Sequence, residues 1–378
     1  MPPNLTVCLT AKNAASTIVR AIDSVRCVAD EIVLADTGSE DQTVALSLQR
    51  GVRVGHFAWG DNLSEARNHA LSLATGHWIL LLDSDEWLVK STAPALRPCL
   101  DDAAALGYFV SRCDQTDSAR PDIYTQMRQL RLFRNHFGLR FRNRCHPQFD
   151  PPIESTAAAH GMTIADSHCE IGHDGYVPQN REDKLRRAAR LLALDLAERP
   201  DDLYNLIEFG RTLYLLHDPQ AAAVLRRASV PVLAHRAESA PPTPMAALLL
   251  ECLLRQPTLA ASCGVGVEEL LALAARWFPS SAPLIWIQAN HLFQAGNFSA
   301  AAVLLERLLR MGRDHSYDRH TSFDPRIIGD EARLNLGICL QQLGRHAEAR
   351  NMFEPLLNNP AVAAHARAAL SALNHGSD

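Results

Sequence analysis

The sequence predicts an α/β domain built on a mostly parallel sheet, followed by an all-α domain of paired helices. Three observations carry that expectation. Residues 1–112 alternate short apolar runs with amphipathic stretches. Residues 113–178 are less regular and are punctuated by Pro121, Pro147, Pro151 and Pro152. From about Asn180 the chain becomes rich in Ala, Leu and Arg and repeats a helical pattern. The expected division is therefore an α/β domain over 1–178, in halves 1–112 and 113–178, and a helical domain over 179–378, which suits a chain of 378 residues.

In order, LTVCLT (5–10) reads as the first strand. A helix starting at Ser16 turns Ile18, Ile22 and Val25 inward. EIVLA (31–35) is a second strand, followed by the turn DTGSED and a helix near 44–48. VRVGHF (52–57) is the third strand, 64–73 the third helix, and WILLL (78–82) the fourth strand. An unbroken apolar run such as WILLL suits a central parallel strand covered on both faces. The β-α-β-α-β-α-β order with right-handed crossovers sets every strand's carboxyl end on one edge, where open α/β sheets bind ligands. Beyond it, QLRLF, GLRFR and MTIAD are short strand-like pieces.

In the helical half, three stretches align on small residues. Gly337, Gly344, Ala349 and Phe353 fall on Ala289, Gly296, Ala301 and Leu305, and a first copy fits at Gly210, Ala221 and Leu225 with a shorter turn. Small residues at fixed offsets let paired helices approach closely, as in tetratricopeptide-like repeats. MGRDHSYDRHTSFDPRIIGD interrupts the series before its last copy; His315 and His320 within it read as surface or local contacts.

A net charge of −5 with both signs mixed offers no basic field for nucleic acid. No apolar run approaches a membrane span, and MPPNLTVCLT lacks signal-peptide character. Nine dispersed cysteines without C-x-x-C spacing read as reduced thiols, so a cytoplasmic location is expected. A homodimer stays among the open oligomeric states.

Chemistry gathers where the strands end. Thr10, Lys12 and Asn13 follow strand one, Asp36 follows strand two, and Arg67 and Asn68 lie on the third helix. Asp83 and Asp85, with Glu86, follow strand four. Carboxylates so close together repel unless a cation or donors sit among them. A carboxylate can take a base N–H or ribose hydroxyls, a cation can meet a pyrophosphate, and D-x-D can hold a divalent ion bridging it. Asp36 and Lys12 also have plain structural uses, as a turn or cap acceptor and as solvated surface; for Arg67 the common i,i−4 ion pair is missing, because residue 63 is Leu. Their joint position on one edge favours the ligand site.

LTVCLTAKNAASTIVRAIDSV, DEIVLADTGSEDQTVALS and FAWGDNLSEARNHALSLATGHWILLLDSDEW resemble the donor half of family 2 glycosyltransferases, nearest the SunS-like group that is often fused to tetratricopeptide repeats. DTGS-x-D, S-x-ARN, ATG-x-W and LD-x-DE, in that order, make the likeness specific over 4–90; it continues weakly through RLFRNHFGLRFRNRCH and IGHDGY. The resemblance implies a GT-A fold, a nucleoside-diphosphate sugar donor (a UDP-sugar favoured) and Mg²⁺ or Mn²⁺. It implies that Asp36 meets the base, Asp83 the ribose region, Asp85 the metal, and Arg67 the base or diphosphate. His173 is a candidate second metal ligand, with a backbone-bonded histidine as the alternative, and His146 stands nearby.

The chain departs from the family at KNAA, where Ala14 and Ala15 replace acidic residues, and at RCHPQFD, where Pro147 replaces a glutamate. An inverting transfer needs a carboxylate beside the acceptor hydroxyl or thiol. Asp150, Glu154 and Asp174 are the candidate bases. Two functions follow. One is transfer of a hexose to an acceptor, with a peptide or protein suited to helical repeats. The other is a catalytically impaired domain acting with its repeats as a protein-binding scaffold. A nucleotidyltransferase fits poorly, because no Gly-rich phosphate loop follows strand one.

Overall fold

The computed structural model describes residues 4–117, 123–174, 178–234, 241, 243–318 and 321–375. Pro121, Gly175, Tyr176 and His320, named above, lie outside them. The chain forms two compact units, Met1–Leu216 and His217–Asp378.

The first unit is built on β1 (Leu5–Ala11), β2 (Glu31–Asp36), β3 (Arg53–His56), β4 (Trp78–Asp83), β5 (Glu86–Leu88), β6 (Ala105–Gln115), β7 (Tyr124–Arg134) and β10 (Thr163–His173), in the order 3-2-1-4-7-6-10-5. Strands β1 to β4 run parallel, β7 is antiparallel to β4 and β6, β10 is parallel to β6, and β5 caps the far edge antiparallel to β10. The short strands β8 (Arg140–Arg142) and β9 (Gln148–Asp150) form a separate hairpin.

Alternation along the central strands sorts the core into two faces. Leu5, Val7 and Leu9 pack with Leu80 and Leu82 against α1 (Ile18–Val25), and all three expected inward residues of that helix are fully buried. Short α2 (Thr43–Leu48) adds Leu46 to this face, and α4 (Leu96–Asp101) adds Leu96 and Cys99. Cys8, Val33, Ile79 and Leu81 point the other way, onto Ala70 and Leu71 of α3 (Leu63–Leu73) and Ile153 and Ala157 of α5 (Ile153–Ala159).

The expected strands and helices of residues 1–90 are present with edges shifted by a residue or two. Strand β6 was not expected, and β10 runs well past the expected MTIAD piece. Together they make both halves of the α/β domain one continuous sheet. The sequence-based division after residue 178 also falls inside this unit. Helices α6 (Pro178–Glu198) and α7 (Leu203–Leu215) pack on it through Leu191, Leu192 and Phe209, which meet Cys145 and Leu63.

The second unit is helical: α8 (Ala221–Ala234), α9 (Ala246–Arg255), α10 (Pro257–Ser262), α11 (Val267–Trp277), α12 (Ala282–Gln294), α13 (Phe298–Asp314), α14 (Asp330–Gln342), α15 (His346–Phe353) and α16 (Ala363–His375). Helices α12–α13 and α14–α15 are the two later repeat copies, each turning at a left-handed glycine, Gly296 or Gly344. A Cβ on Gly337 would lie 2.4 Å from the Phe353 ring, which is why the aligned site is small. The first copy is divided by the boundary between the units. The insertion joins the core of its own unit: Phe323, Ile327 and Ile328 are buried with Met311 and Leu336.

Candidate functional site

Register fixes the layout. Ala11 pairs with Asp36 of β2, and Thr10 pairs with Asp83 of β4, so Asp36 and Asp83 end the strands on either side of β1, one residue apart in register and on opposite faces of the sheet. Neighbouring strands lie about 4.8 Å apart, which spaces the two carboxylate-bearing backbones by roughly 10 Å.

At the end of β2 Asp36 is 2 % exposed and shapes its own turn. Its carboxylate accepts from the amides of Gly38 (3.3 Å) and Ser39 (3.2 Å) and faces His56 Nδ1 at 3.3 Å. The loop after β1 is tied to the same turn. Asn13 donates its backbone N–H to Ser39 Oγ and accepts from the Glu40 amide, and Ala14 and Ala15 donate theirs to Thr43 and Asp41. Lys12 is exposed beside them.

At the end of β4 Asp83 is gripped by arginines. Arg67 donates to both of its oxygens, at 3.0 and 3.2 Å, and Arg131 approaches at 3.4 Å. Burial alone would raise this carboxyl; Arg67 and then Arg131 outweigh burial and hold it well below the usual carboxylate range. Arg67, placed by α3, therefore acts on Asp83, and its guanidinium also lies 5.8 Å from the Phe141 ring. Asn68, its neighbour, bonds Phe141 through both amide groups and fastens β8 to α3.

Behind Asp83, Glu86 is completely buried and accepts from Arg131 at 2.7 Å and from the Asp83 amide at 2.8 Å. Burial pushes its carboxyl up, against the pull of Arg131. The third acidic residue after β4 is thus a buried brace that closes the turn.

Asp85 turns toward β10 and α6. Its Oδ2 lies 2.5 Å from Lys184 Nζ and 3.4 Å from His173 Nε2. His173 Nδ1 meets Asp114 Oδ1 at 2.5 Å, and Arg112 pairs with Asp114 at 2.8 Å. Burial would depress the imidazole; its hydrogen bonds to Asp114 and Asp85 prevail and raise it to about 9. Asp85 is likewise held low, with His173 and Lys184 outweighing burial. A Cβ on the preceding residue, Gly172, would lie 2.3 Å from the Trp87 ring, so glycine lets β5 close on β10 and sets the height of His173.

Among the described residues no group of three His, Cys, Asp or Glu side chains is gathered to hold an ion by itself. Asp85 Oδ2 and His173 Nε2 nevertheless converge on one position, and a cationic group, the Lys184 ammonium, stands there. One carboxylate and one imidazole, the latter once its Nε2 proton is released, suit Mn²⁺ or Mg²⁺ when ligand oxygens complete the shell. The residues fit an ion on that condition.

The three candidate bases differ. Asp174 follows His173 and pairs with Arg20 at 2.6 Å, while Arg20 also stacks 4.0 Å over Trp87. Asp150, at the end of β9, and Glu154, in the first turn of α5, are exposed. His146 stands apart, 3.8 Å from Glu208 of α7, and is raised to about 9 because that carboxylate outweighs burial.

Sequence reasoning missed Arg112, Asp114, Arg131 and Lys184. Arg112 and Asp114 share one face of β6 at a spacing of two, which was readable only once that strand was known. Lys184 sits in the charged run REDKLRR, where nothing distinguishes it.

Residues 6–155 match the profile described as glycosyl transferase family 2. A TPR repeat-containing protein of Synechococcus elongatus is 31 % identical over 225 residues, covering 58 % of this chain and 54 % of that protein. The SPbeta prophage-derived glycosyltransferase SunS of Bacillus subtilis is 26 % identical over 227 residues, covering 58 % and 51 %. Among solved structures, S. aureus TarS shares 16 % identity with a TM-score of 0.37, covering 72 % of this chain and 91 % of that one. The chain spans about half the length of the curated relatives it matches.

Proposed function

We propose that the protein moves a hexose from a nucleoside-diphosphate sugar, a UDP-sugar in our reading, to an acceptor hydroxyl or thiol, a reading supported by the match of residues 6–155 to glycosyl transferase family 2. The observation that supports this is the placement of Asp36 and Asp83 at the ends of β2 and β4, on either side of β1, with Asp85 and His173 converging beyond Asp83.

In this reading Asp36 and the amides it organises receive the base, with Thr10 and Lys12 beside them. Asp83, held rigid and ionised by Arg67 and Arg131, accepts ribose hydroxyls. Asp85 and His173 would hold Mg²⁺ or Mn²⁺, which when bound acts as a Lewis acid on the departing diphosphate. The acceptor attacks the anomeric carbon from the opposite side, giving inversion, and a carboxylate takes its proton. Of Asp150, Glu154 and Asp174, we favour Asp174, which directly follows His173 at the end of β10. A peptide or protein acceptor is supported by the helical hairpins of the second unit, a class of surface used for peptide capture. A cytoplasmic location fits nine cysteines without a disulfide among them. No helix among the described residues is long and apolar enough to cross a membrane.

Donor hydrolysis tests the proposal. Incubation with UDP-sugars and Mn²⁺ should release UDP, and Asp85→Ala should lower the rate by a factor of about a thousand or more, the effect of several kcal/mol on the barrier. No release, with no ion-dependent nucleotide binding, would instead support a scaffold in which Ala14, Ala15 and Pro147 mark lost turnover.

A further inference from the structure

Lys184 occupies the position where the ion of the proposed donor site would bind. Helix α6 brings it in from outside the sheet. Its Nζ lies 2.5 Å from Asp85 Oδ2 and 3.5 Å from His173 Nε2, and those two atoms are 3.4 Å apart. The ammonium is thus at one corner of a small triangle whose other corners are the two ligand atoms. His173 is fixed from behind by Asp114, which Arg112 holds in turn, so the imidazole is braced in that position.

We infer that Lys184 is a built-in competitor for the divalent ion: it satisfies Asp85 while no ion is bound, and ion binding requires its ammonium to leave. The inference rests on the reading of Asp85 and His173 as ion ligands. An ammonium and a dication cannot share one carboxylate oxygen in a half-buried site without strong mutual repulsion. Lysine suits the part, since its flexible stem can carry a well-hydrated charge back to solvent, and its side chain is 26 % exposed. Self-neutralisation also explains how Asp85 tolerates burial beside Asp83 without an ion. The consequence is an order of binding: the ion alone is held weakly, and it enters together with an anionic diphosphate that accepts the displaced ammonium.

The test is Mn²⁺ titration of the full chain by calorimetry and by the electron-paramagnetic-resonance signal of free Mn²⁺, with and without UDP. Lys184→Gln should raise the affinity for Mn²⁺ alone by about tenfold or more, since it removes one like charge at hydrogen-bond range. Lys184→Arg, which keeps the charge, should match the wild type. In EDTA, Lys184→Gln should melt lower than wild type and gain more from added Mn²⁺. Equal Mn²⁺ affinity in Lys184→Gln and a wild type that binds would overturn the inference alone. If neither binds Mn²⁺ even with UDP, the ion site itself is refuted, and the inference with it.

Discussion

Replacing Arg67 by alanine separates a side chain that binds donor from one that positions another residue. In the structure Arg67 donates Nη2 to both oxygens of Asp83, at 3.0 and 3.2 Å, and Arg131 approaches the same carboxylate at 3.4 Å. A charge-assisted hydrogen bond contributes about 1.5–3 kcal/mol. Asp83 is 33 % exposed, so solvent screening reduces that to about 1–2 kcal/mol, or a 5- to 30-fold weaker nucleotide Kd. The assay is calorimetric binding of UDP with Mn²⁺ to wild type, Arg67→Ala, Asp83→Asn and the double variant. If Arg67 works through Asp83, its effect vanishes in the Asp83→Asn background, leaving a coupling energy of about 1–2 kcal/mol. Full additivity would refute the positioning role and assign Arg67 a separate contact with the nucleotide. A Kd within twofold of wild type in Arg67→Ala would remove Asp83 from donor binding as described.

Two further outcomes concern the buried charges. Arg131→Met leaves Glu86 completely buried with Arg112 no closer than 3.8 Å, which should cost about 3–5 kcal/mol at pH 8. Glu86 already titrates above its unfolded value, and the variant raises it further, so the deficit should shrink as pH falls and the carboxyl is protonated; a deficit independent of pH by thermal melting would contradict this. His173 is raised from 6.5 to about 9 in the folded chain, so its contribution, about 3 kcal/mol, is complete below about pH 6.5 and lost as pH rises through 9. The stability gap between wild type and His173→Gln should therefore narrow over that window, and a gap that stays constant up to pH 9 would show that the imidazole is neutral in the folded chain.

How far the sequence could be read depended on where each residue's partners lie. Strands β1, β2 and β4 announce themselves because both faces are apolar, and α1 because Ile18, Ile22 and Val25 recur at helical spacing. Strand β6 escaped notice because Arg112 and Asp114 interrupt its apolar pattern, and their partners Glu86 and His173 come from other strands. Strand β10 is only partly legible because its register slips between Asp166 and Glu170. The placement of Asp36, Thr10 and Asp83 at neighbouring strand ends follows from strand order alone, whereas the ion pairs that define each carboxylate do not. Lys184 meets a residue 99 positions away, and no local pattern encodes that. The same holds for α6 and α7, whose helical composition resembles the repeats after them, while Leu191, Leu192 and Phe209 pack on Cys145.

Anomalous difference density from crystals soaked in UDP and Mn²⁺ would put the donor site to the most direct trial. We expect a manganese peak within bonding distance of Asp85 Oδ2 and His173 Nε2, the Lys184 ammonium withdrawn, and the nucleoside lying along β2, β1 and β4 between Asp36 and Asp83. A nucleotide bound elsewhere, with Asp83 and Asp85 still closed on Arg67 and Lys184, would contradict the account.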